Sequence, residues 1–505
     1  MRILLIRPPV PKHTIGLKHI MICEPLELEY AAANLDGHEV QILDLIVERG
    51  YEKRLRKFKP DVVCSSSYIS GVNEVIKLFR KAKLWNRDVF TVAGGVQAAQ
   101  VPEDFADESV DVIVRGDGTT ILPKVIEAWE KGESLLDIGG LAFPVSRKEV
   151  ALSKERSYMP KADELPLPRR DLVKHLRHKY YYLMHRPVAT MKTTWGCWYK
   201  CNFCYTWKIT DGTPYSRSPE NIINELLAIE AEDVYIVDDI FLIKPTRLRK
   251  IADLIVKHNI RKKYLVYARA DFIAQNEDII EEWAGLGLTA VFIGLEATTE
   301  DELESMNKEC SVNYNKEAIA VLKRHGVDTY GSLIPSPDYT KEDWNRLWEF
   351  IEETGLYYVN ISPLMPMPGT SNWMSMKDKV TIPREAHGMW DLSHIILPTK
   401  MPLKEYYREL LGLYWKTVMN ISRAKNTTHR TLPSIWSYSY WSMISGAFKM
   451  SWQFLTAHRH HRKSEILKAM YKGPEVPSLD FRWKKEELEL QFKKKTEPSP
   501  HSLVA

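Results

Sequence analysis

The chain has 505 residues, more than the roughly 250 to 300 at which a single hydrophobic core stops growing, so its length predicts two or three domains. Hydrophobic residues at 44% and charged residues at 27% exclude general disorder, collagen-like repeats and a disulfide-dense scaffold. With 70 Lys and Arg against 66 Asp and Glu, the net charge of +4 gives no sign of nucleic-acid binding, and we expect no nucleic-acid partner.

The first third of the chain alternates short apolar runs with helix-length stretches. The apolar runs cover residues 3–6, 40–45, 62–65, 89–93 and 110–114. Runs of this length between helical segments predict an α/β fold with a parallel, doubly wound sheet. The first run has only four apolar residues, fewer than the roughly 7 to 15 of a signal-peptide core, so we expect a cytoplasmic protein.

Turn-forming residues follow several of these runs directly. Loops at the carboxyl ends of parallel strands form the usual ligand site of open α/β sheets. Glycine-rich turns also occur in such sheets when no ligand is held, so the turns alone leave both alternatives open. The candidate cofactor-binding residues at this edge are Pro8, Ser65, Gly94, Gly95 and Gly116.

A proline-spaced stretch from Glu164 to Asp171 cannot continue a helix and predicts a connection between domains. We place the first domain at residues 1–150 and the connection at 151–185. A second alternation follows, with predicted strands at residues 189–194, 234–237, 264–268, 290–294, 329–333 and 357–361. Six strand–helix units predict an incomplete (β/α)6 barrel at residues 186–375, with functional groups at its carboxyl-terminal rim.

The last segment, residues 376–505, is predicted to be mostly helical, aromatic and basic. Between residues 432 and 457 the only charged residue is Lys449, and interleaved serines make the stretch too polar for a transmembrane span. Residues 458–495 carry eleven Lys or Arg and six Asp or Glu. This pattern is typical of a peripheral contact with anionic lipid on the inner face of the cytoplasmic membrane. A buried helix pair with a solvated basic tail fits it equally well.

Three of the six cysteines, Cys197, Cys201 and Cys204, fall within eight residues. Three thiolates can hold three irons of a [4Fe-4S] cluster and leave one iron without a protein ligand. A zinc site needs a fourth ligand, and no histidine lies between His185 and His258. A disulfide is disfavoured in a reducing compartment. The spacing therefore favours an iron–sulfur cluster over zinc and over a disulfide.

The segment from Trp195 to Cys204 resembles the signature of radical S-adenosylmethionine (SAM) enzymes, with an aromatic residue before the third cysteine. The resemblance implies that the open iron binds SAM and that SAM cleavage yields a 5′-deoxyadenosyl radical. It makes the three cysteines the catalytic metal ligands. It also implies that Arg269 and Glu296 bind the polar parts of SAM, that Phe203 lies near its adenine, and that Asp238 belongs to the cofactor-binding residues.

The N-terminal domain resembles the cobalamin-binding module of the B12-dependent subclass of this superfamily. The resemblance rests on Ile6 to Pro9, Gly94 with Gly95, and Val114 to Gly118. The usual histidine motif for cobalt is absent, because Asp36 to His38 begins it but Gln41 breaks it. His38 is expected to end a helix turn before a strand, and cobalt is expected to lack a histidine ligand from that motif. His13 and His19 have only their position to suggest a contact with the corrin.

Together the two modules imply a methylase that moves a methyl group from methylcobalamin to an unactivated carbon. Residues 13–30 and 392–407 are similar to segments of hopanoid C-3 methylases, which implies a polycyclic lipid substrate. His394 and Lys400 are candidate substrate-side groups, with surface residues on a helical cap as the alternative. The implied electron donor is a flavodoxin or ferredoxin. The alternatives are a cobalamin-binding radical SAM oxidoreductase or cyclase, a methylase of a tetrapyrrole or other substrate, and a non-enzymatic cobalamin sensor.

Overall fold

The computed structural model describes residues 1–16, 20–153, 161–356, 358–420 and 438–488. Within residues 438–488, the side chains of 438–440, 442 and 443 are not among those described. His19, Tyr357 and residues 432–437, which carried sequence predictions, lie outside the described residues. In the described part of the chain, no helix combines the length and the apolar character needed to cross a bilayer.

The N-terminal sheet has seven strands in the order β2-β1-β3-β4-β5-β6-β7. The first four neighbouring pairs are parallel, and the pairs β5/β6 and β6/β7 are antiparallel. Its strands are β1 (Arg2–Arg7), β2 (Glu39–Asp44), β3 (Val62–Ser66), β4 (Phe90–Gly94), β5 (Val112–Val114), β6 (Leu141–Ser146) and β7 (Glu149–Leu152). The five predicted strands are confirmed, and the hairpin β6/β7 is an addition that the sequence pattern did not predict.

Helices cover both faces of this sheet, as expected for a doubly wound fold. They are α1 (Leu26–Ala32), α2 (Tyr51–Phe58), α3 (Val72–Trp85), α4 (Val96–Gln100) and α5 (Gly118–Lys131). Two separate apolar clusters, one on each face, bury the alternating side chains of β1; Ile3 and Leu5 belong to one, and Leu4 and Ile6 to the other. This burial explains why the strands read as continuous apolar runs in the sequence.

The second sheet has six parallel strands in sequence order, which confirms the incomplete barrel. Its strands are β8 (Val188–Met191), β9 (Asp233–Ile236), β10 (Lys263–Ala268), β11 (Leu288–Glu296), β12 (Asp328–Leu333) and β13 (Tyr358–Ile361). Eight helices accompany them: α6 (Thr206–Ile209), α7 (Pro219–Ala228), α8 (Pro245–Lys257), α9 (Ala270–Gln275), α10 (Glu277–Gly285), α11 (Glu300–Ser305), α12 (Val312–Arg324) and α13 (Lys341–Thr354). Apolar side chains between strands and helices form the largest core of the molecule.

The described residues of the C-terminal region form four α-helices, α14 (Ser371–Met376), α15 (Leu403–Asn420), α16 (Tyr438–His460) and α17 (Lys463–Ala469). α15 and α16 pack against each other, so the predicted helix pair is present. The chain then returns to the N-terminal sheet, where Trp483 Nε1 donates to the Asp111 carbonyl at 2.6 Å and Leu488 is buried. The lysines and arginines of this part are exposed, as expected for a solvated basic tail, and Arg482 also pairs with Asp111 at 2.6 Å.

The connection between the two sheets is packed, not loose. Residues Arg170–Lys179 form a 3-10 helix whose Val173 and Leu176 enter the N-terminal core. Arg170 is buried and donates to Glu24, to Glu225 at 2.5 Å and to the Thr190 carbonyl at 2.7 Å. Since Glu24 precedes α1 and Thr190 lies in β8, one guanidinium joins both sheets.

Two arginines and three carboxylates share this buried site. Glu225 also accepts from Arg217, and Glu29 lies 3.6 Å from Arg170. Burial and the neighbouring Glu24 raise the pKa of Glu29 well above its usual range. The raised pKa favours the neutral form of Glu29, in which two negative charges face two positive ones.

Replacing Arg170 by Ala is expected to lower the free energy of unfolding by about 3 to 5 kcal/mol, because it leaves buried carboxylates without their cation. Thermal or denaturant unfolding of the purified protein measures the change. The matched control is Arg169→Ala, which removes an exposed arginine paired with Asp171 and should cost about 1 kcal/mol or less. Equal losses in the two variants would contradict a role for Arg170 in joining the sheets.

Candidate functional site

The loop after β8 carries Cys197, Cys201 and Cys204, whose thiols are free. Cys204 donates its backbone N–H to the Cys201 carbonyl at 3.2 Å, and its Sγ accepts from the Thr206 N–H at 3.4 Å. In the part of the chain that the structure describes, no group of three His, Cys, Asp or Glu side chains is gathered so as to hold a metal ion. An iron–sulfur cube takes one thiolate per iron, so its protein ligands share a loop without converging on a single ion.

Two aspartates after β9 hold the start of this loop. Asp238 is buried and accepts from the N–H groups of Thr193 at 2.5 Å and Thr194 at 3.0 Å. Asp239 accepts from the Gly196 N–H at 2.8 Å. Gly196 has a φ of +81°, and a Cβ there would lie 2.1 Å from Thr210 Oγ1, so the turn needs glycine. Asp238 therefore supports the loop from beneath, and its binding to a cofactor stays a prediction.

The electrostatics of the thiols depends on burial and on two nearby cations. Burial raises the pKa of Cys201 to about 11, against the opposing effect of Lys308 and Arg269. Burial also raises the pKa of Cys197 and Cys204. The thiols are therefore protonated in the free protein, and metal binding displaces their protons. The cations favour the thiolate form that a cluster requires.

Across from the loop, Glu296 and Lys308 form a buried ion pair with Nζ 2.7 Å from Oε1. Glu296 ends β11 at an irregularity in the register and has a φ of +65°. Backbone strain of this kind persists where surrounding contacts enforce it, and it is common in ligand sites. Gly294 makes room for the pair, since a Cβ there would lie 2.3 Å from Glu296 Oε1.

Arg269 and Phe203 complete the same side of the site. Arg269 pairs with Asp271 at 3.0 Å, donates to the Lys308 carbonyl at 2.9 Å and lies 3.5 Å from the ring centre of Tyr199, inside the cysteine loop. The Phe203 ring centre is 6.0 Å from Lys308 Nζ. The structure thus brings Phe203, Arg269 and Glu296 to the cysteine loop, as the sequence predicted, and their binding to SAM stays a prediction.

Below this polar rim the barrel is lined by aromatic side chains. Tyr267, Phe292, Tyr330 and Tyr358 occupy paired positions on four neighbouring strands. Their ring centres are separated by 4.8 Å between the first two and by 5.2 Å between the last two. Tyr235, one layer deeper, donates its hydroxyl to Tyr267. The rings give the barrel interior an apolar, flat-sided wall.

The carboxyl edge of the N-terminal sheet contains the other predicted cofactor residues. Gly95 has a φ of +94°, and a Cβ there would lie 2.5 Å from Ser66 Oγ. Ser65 is buried and donates to the Ile6 carbonyl at 2.9 Å, so its hydroxyl faces the sheet and not the edge. Within the described residues, the buried Ser67 Oγ has no hydrogen-bond partner. An orphaned hydroxyl beside a glycine turn fits a polar ligand at this edge.

The remaining predicted residues of this edge differ in their surroundings. Pro8 is buried beside the turn that contains Gly71, where a Cβ would lie 3.6 Å from Pro8 Cγ. Gly94 leaves open space, with Val114 Cβ 4.0 Å from the position of a Cβ. Gly116 is partly exposed in the turn before α5. Gly94 and Gly116 are therefore accessible to a ligand, whereas Pro8 shapes the edge from below.

Residues at the carboxyl edges of the two sheets lie near each other. Tyr68, at the N-terminal edge, is 64% exposed, yet burial followed by the charges of Glu27 and Asp239 raises its pKa. It therefore lies in the space between residues of the two sheets. Tyr205, directly after the third cysteine, interacts with Tyr68 and with Cys204. We name this space the chamber; it lies between Tyr68 and the cysteine loop.

His13, His38 and His394, which the sequence singled out, contact other groups of the protein. His38 Nδ1 lies 3.1 Å from the amino terminus, next to the start of β2, which confirms the expected turn before a strand. His13 packs against His460 with ring centres 5.6 Å apart. His394 is buried between Asp391 and His460, so its interpretation as a surface residue is wrong, whereas Lys400 is exposed.

Sequence reasoning gave no individual role to several residues of the site. Lys308, Asp239 and Tyr199 hold or flank the cysteine loop, and Tyr68 and Glu27 line the chamber from the other sheet. Asp239 follows a strand and Lys308 follows a helix, and each stands next to another polar residue. Such polar pairs can indicate a site in a sequence. Tyr68 and Glu27 carry no such signal, because only the facing of two sheets makes them neighbours of the barrel.

Comparisons with known proteins agree with this geometry. The Radical SAM superfamily matches residues 191–351, and the B12 binding domain matches residues 12–126. The hopanoid C-3 methylase of Methylococcus capsulatus is 31% identical over 430 residues, which cover 83% of this chain and 81% of that protein. The anaerobic magnesium-protoporphyrin IX monomethyl ester cyclase of Rubrivivax gelatinosus is 23% identical over 400 residues, which cover 76% and 71% of the two chains.

Solved structures share the architecture. The cobalamin-dependent S-adenosylmethionine radical enzyme OxsB, with aqua-cobalamin and SAM bound, matches with a TM-score of 0.64 at 14% identity, over 98% of this chain and 84% of OxsB. The radical SAM methyltransferase TsrM from Kitasatospora setae, with tryptophan substrate and a SAM analog bound, matches with a TM-score of 0.64 at 14% identity, over 92% and 99%. The likeness confirms the predicted fold class of a cobalamin-binding α/β sheet, a partial barrel and a helical C-terminal region.

Replacing Cys204 by Ala is expected to abolish iron retention and SAM cleavage after anaerobic reconstitution, because a cluster then keeps only two protein thiolates. Corrin binding should persist, since the thiols lie in the loop after β8 and the proposed corrin site lies at the N-terminal sheet. Iron and sulfide content, the absorbance of bound corrin and 5′-deoxyadenosine release measure these effects. Cys64→Ala removes a thiol from the N-terminal core and should keep its iron. Full SAM cleavage by the Cys204 variant would reject the assignment.

Replacing Gly294 by Ala is expected to weaken SAM binding by about tenfold, because the new Cβ displaces the carboxylate of Glu296 from Lys308. Titration of the reconstituted protein with SAM measures the dissociation constant. Gly412→Ala is the control, since nothing lies within 4 Å of its Cβ position in α15 and SAM binding should not change. Unchanged SAM affinity in the Gly294 variant would separate the Glu296 pair from the SAM site.

Proposed function

We propose, starting from the fact that this chain belongs to the cobalamin-dependent radical SAM methylase family, that it methylates carbon 3 of a hopanoid lipid. The chain is a radical SAM methyltransferase, and its cofactors are a [4Fe-4S] cluster, SAM and cobalamin. When bound, these groups supply hydrogen abstraction from an unactivated carbon and a cobalt-bound methyl group. The protein residues hold the groups, orient the substrate and exclude water.

We assign the holding of the cluster to Cys197, Cys201 and Cys204, with Asp238 fixing the loop from below. Arg269, Glu296 and Phe203 are proposed to position SAM beside them. Arg269 and Glu296 suit the carboxylate and amino groups of SAM, because each is a buried charged side chain beside a partner of opposite charge. Gly94, Gly95 and Gly116 are proposed to admit the corrin at the opposite edge.

The observation that carries the lipid substrate is the aromatic lining of the barrel. Tyr267, Phe292 and Tyr358 are partly exposed toward the interior, and none of the four paired aromatic positions carries a charge. A fused-ring hydrocarbon buries its flat faces against such rings and has no charge to be desolvated. The polar rim above would then meet only the cofactors, so the substrate carbon is held dry beside them.

The proposed domains follow the same division, with a cobalamin-binding domain at residues 1–150, a connection at 151–185, the barrel at 186–375 and a helical region at 376–505. The proposed partners are a flavodoxin or ferredoxin as electron donor and the polycyclic lipid as substrate. A lipid of this kind resides in the bilayer, so we place the enzyme as a peripheral protein on the inner face of the cytoplasmic membrane.

A second candidate is a cyclase or oxidoreductase in which no methyl group moves. The similarity to the magnesium-protoporphyrin cyclase, over 76% of this chain, supports it. A tetrapyrrole macrocycle is also flat and fits an aromatic wall, but its carboxylate groups need cationic partners. The four paired aromatic positions offer tyrosine hydroxyls and no cation, which favours the uncharged lipid.

Incubation of the reconstituted enzyme with a reductant, methyl-labelled SAM and a hopanoid is expected to give labelled lipid together with 5′-deoxyadenosine. Mass spectrometry of the extracted lipid locates the label in the A ring. Porphyrin esters in place of the hopanoid serve as the comparison. Deoxyadenosine formation with the label absent from every lipid, and ring closure of the porphyrin, would overturn the methylase proposal in favour of the cyclase.

The aromatic layer can be tested separately. Phe292→Ala is expected to raise KM for the hopanoid about tenfold or more, because it removes an apolar wall of the barrel. SAM cleavage without substrate should stay near the wild-type rate, since the cysteine loop is untouched. Steady-state kinetics with detergent-dispersed lipid measures both. An unchanged KM for the lipid would place the substrate elsewhere.

A further inference from the structure

We infer that one face of α16 binds the surface of an anionic lipid bilayer and so presents the enzyme to its lipid substrate. The inference rests on the proposed function and names the surface that would make the membrane contact. The surface, which we call the outer face, consists of Phe448, Trp452 and Leu455 on α16 with Met419 at the end of α15. It is one continuous strip formed by two packed helices.

The outer face is apolar and exposed. The side chains of Phe448, Trp452 and Leu455 are 64%, 67% and 45% exposed, and Met419 is 75% exposed. The three α16 residues stand at i, i+4 and i+7, which places them on one side of the helix. A monomeric protein rarely leaves several bulky side chains together in water, so such a strip marks an interaction site.

The two helices are fixed to each other at this strip. Trp415 in α15 donates from Nε1 to Ser451 Oγ at 3.1 Å, and its ring centre lies 6.2 Å from that of Phe448. Met419 follows Trp415 by one helical turn and therefore lies on the same side of α15. The opposite side of α16 is packed, with Phe454 and Ala457 buried in the barrel core. The two helices thus contact each other beside the strip.

The charged residues of α16 favour an anionic bilayer as the partner of the outer face. From Tyr438 to His460 the helix contains no Asp or Glu, and its charged residues are Lys449 and Arg459. Arg459 continues the outer face one turn after Leu455, and Lys449 flanks it; both are exposed. Tryptophan and phenylalanine with cations at the margin suit the boundary between acyl chains and anionic headgroups. An apolar strip that binds a second protein would not require a margin that contains cations and lacks acidic residues.

The packed side of α16 reaches the loop that leaves the cofactor edge of β1. Gln453 Nε2 donates to the Thr14 carbonyl at 3.3 Å, and His460 lies 2.8 Å from His394 Nε2. Thr14 in turn donates to the Gly388 carbonyl at 2.9 Å. The helix that carries the outer face therefore touches the segment directly after Pro8 and Pro9.

The test is sedimentation of the full-length reconstituted protein with lipid vesicles, without SAM or hopanoid. Wild-type protein is expected to bind vesicles of phosphatidylcholine with phosphatidylglycerol and to bind pure phosphatidylcholine weakly, with binding reduced by salt. The double variant Phe448→Ser/Trp452→Ser should bind the anionic vesicles about tenfold less tightly or worse. Leu227→Ser/Val256→Ser, which removes exposed apolar residues from α7 and α8, should bind like wild type.

Two outcomes would overturn the inference. One is equal vesicle binding by wild type and the outer-face variant. The other is a wild-type dimer in light scattering that the variant converts to monomer while vesicle binding is unchanged, which would assign the face to a second copy of the chain. Because the assay contains no substrate, vesicle binding with no hopanoid methylation would defeat only the proposed function. Methylation of dispersed hopanoid with no vesicle binding would defeat only this inference.

Discussion

The buried guanidinium of Arg170 is the contact on which the geometry of the molecule depends. It joins a carboxylate before α1 to a carbonyl of the first barrel strand and to a carboxylate of α7. Each sheet alone ends in a set of polar loops. Only when the two carboxyl edges are fixed near each other do these loops border one chamber, with Tyr68 from one sheet close to the residues that follow Cys204 in the other. A buried ion pair contributes little net stability, but its directed hydrogen bonds specify the orientation of the parts that it joins.

The side chains that line the chamber differ in polarity from one layer of the barrel to the next. The barrel rim carries charge, in the pairs Glu296 with Lys308 and Arg269 with Asp271, next to the cysteine loop. One layer deeper the lining becomes aromatic. Because inward-facing positions of a parallel strand alternate by two residues, charge at the rim and rings below follow from the order of residues along each strand. The arrangement suits charged cofactors at the rim and an uncharged substrate in the interior.

Local patterns in the sequence were enough to predict the strands, the partial barrel and the cysteine loop, since each depends on residues close together in the chain. The hairpin β6/β7 was missed because Pro144 lies inside it and proline disfavours a strand prediction. The support that Asp238 gives to the cysteine loop was not predicted, because a strand-end carboxylate looks the same in a sequence whether it binds a ligand or supports a loop. His394 was taken for a surface residue because its partner His460 is 66 residues away. Contacts of this range leave no periodic signal.

One chamber, fixed by the contact of the two sheets, is expected to bring the cluster and cobalamin together on one chain. The most direct measurement is electron paramagnetic resonance of anaerobic protein that contains reduced cluster and Co(II) cobalamin. Because two paramagnetic centres in one chamber relax each other, we expect faster spin relaxation of each centre when both are present than when either is present alone. Relaxation of each centre that is independent of the other would contradict a shared chamber.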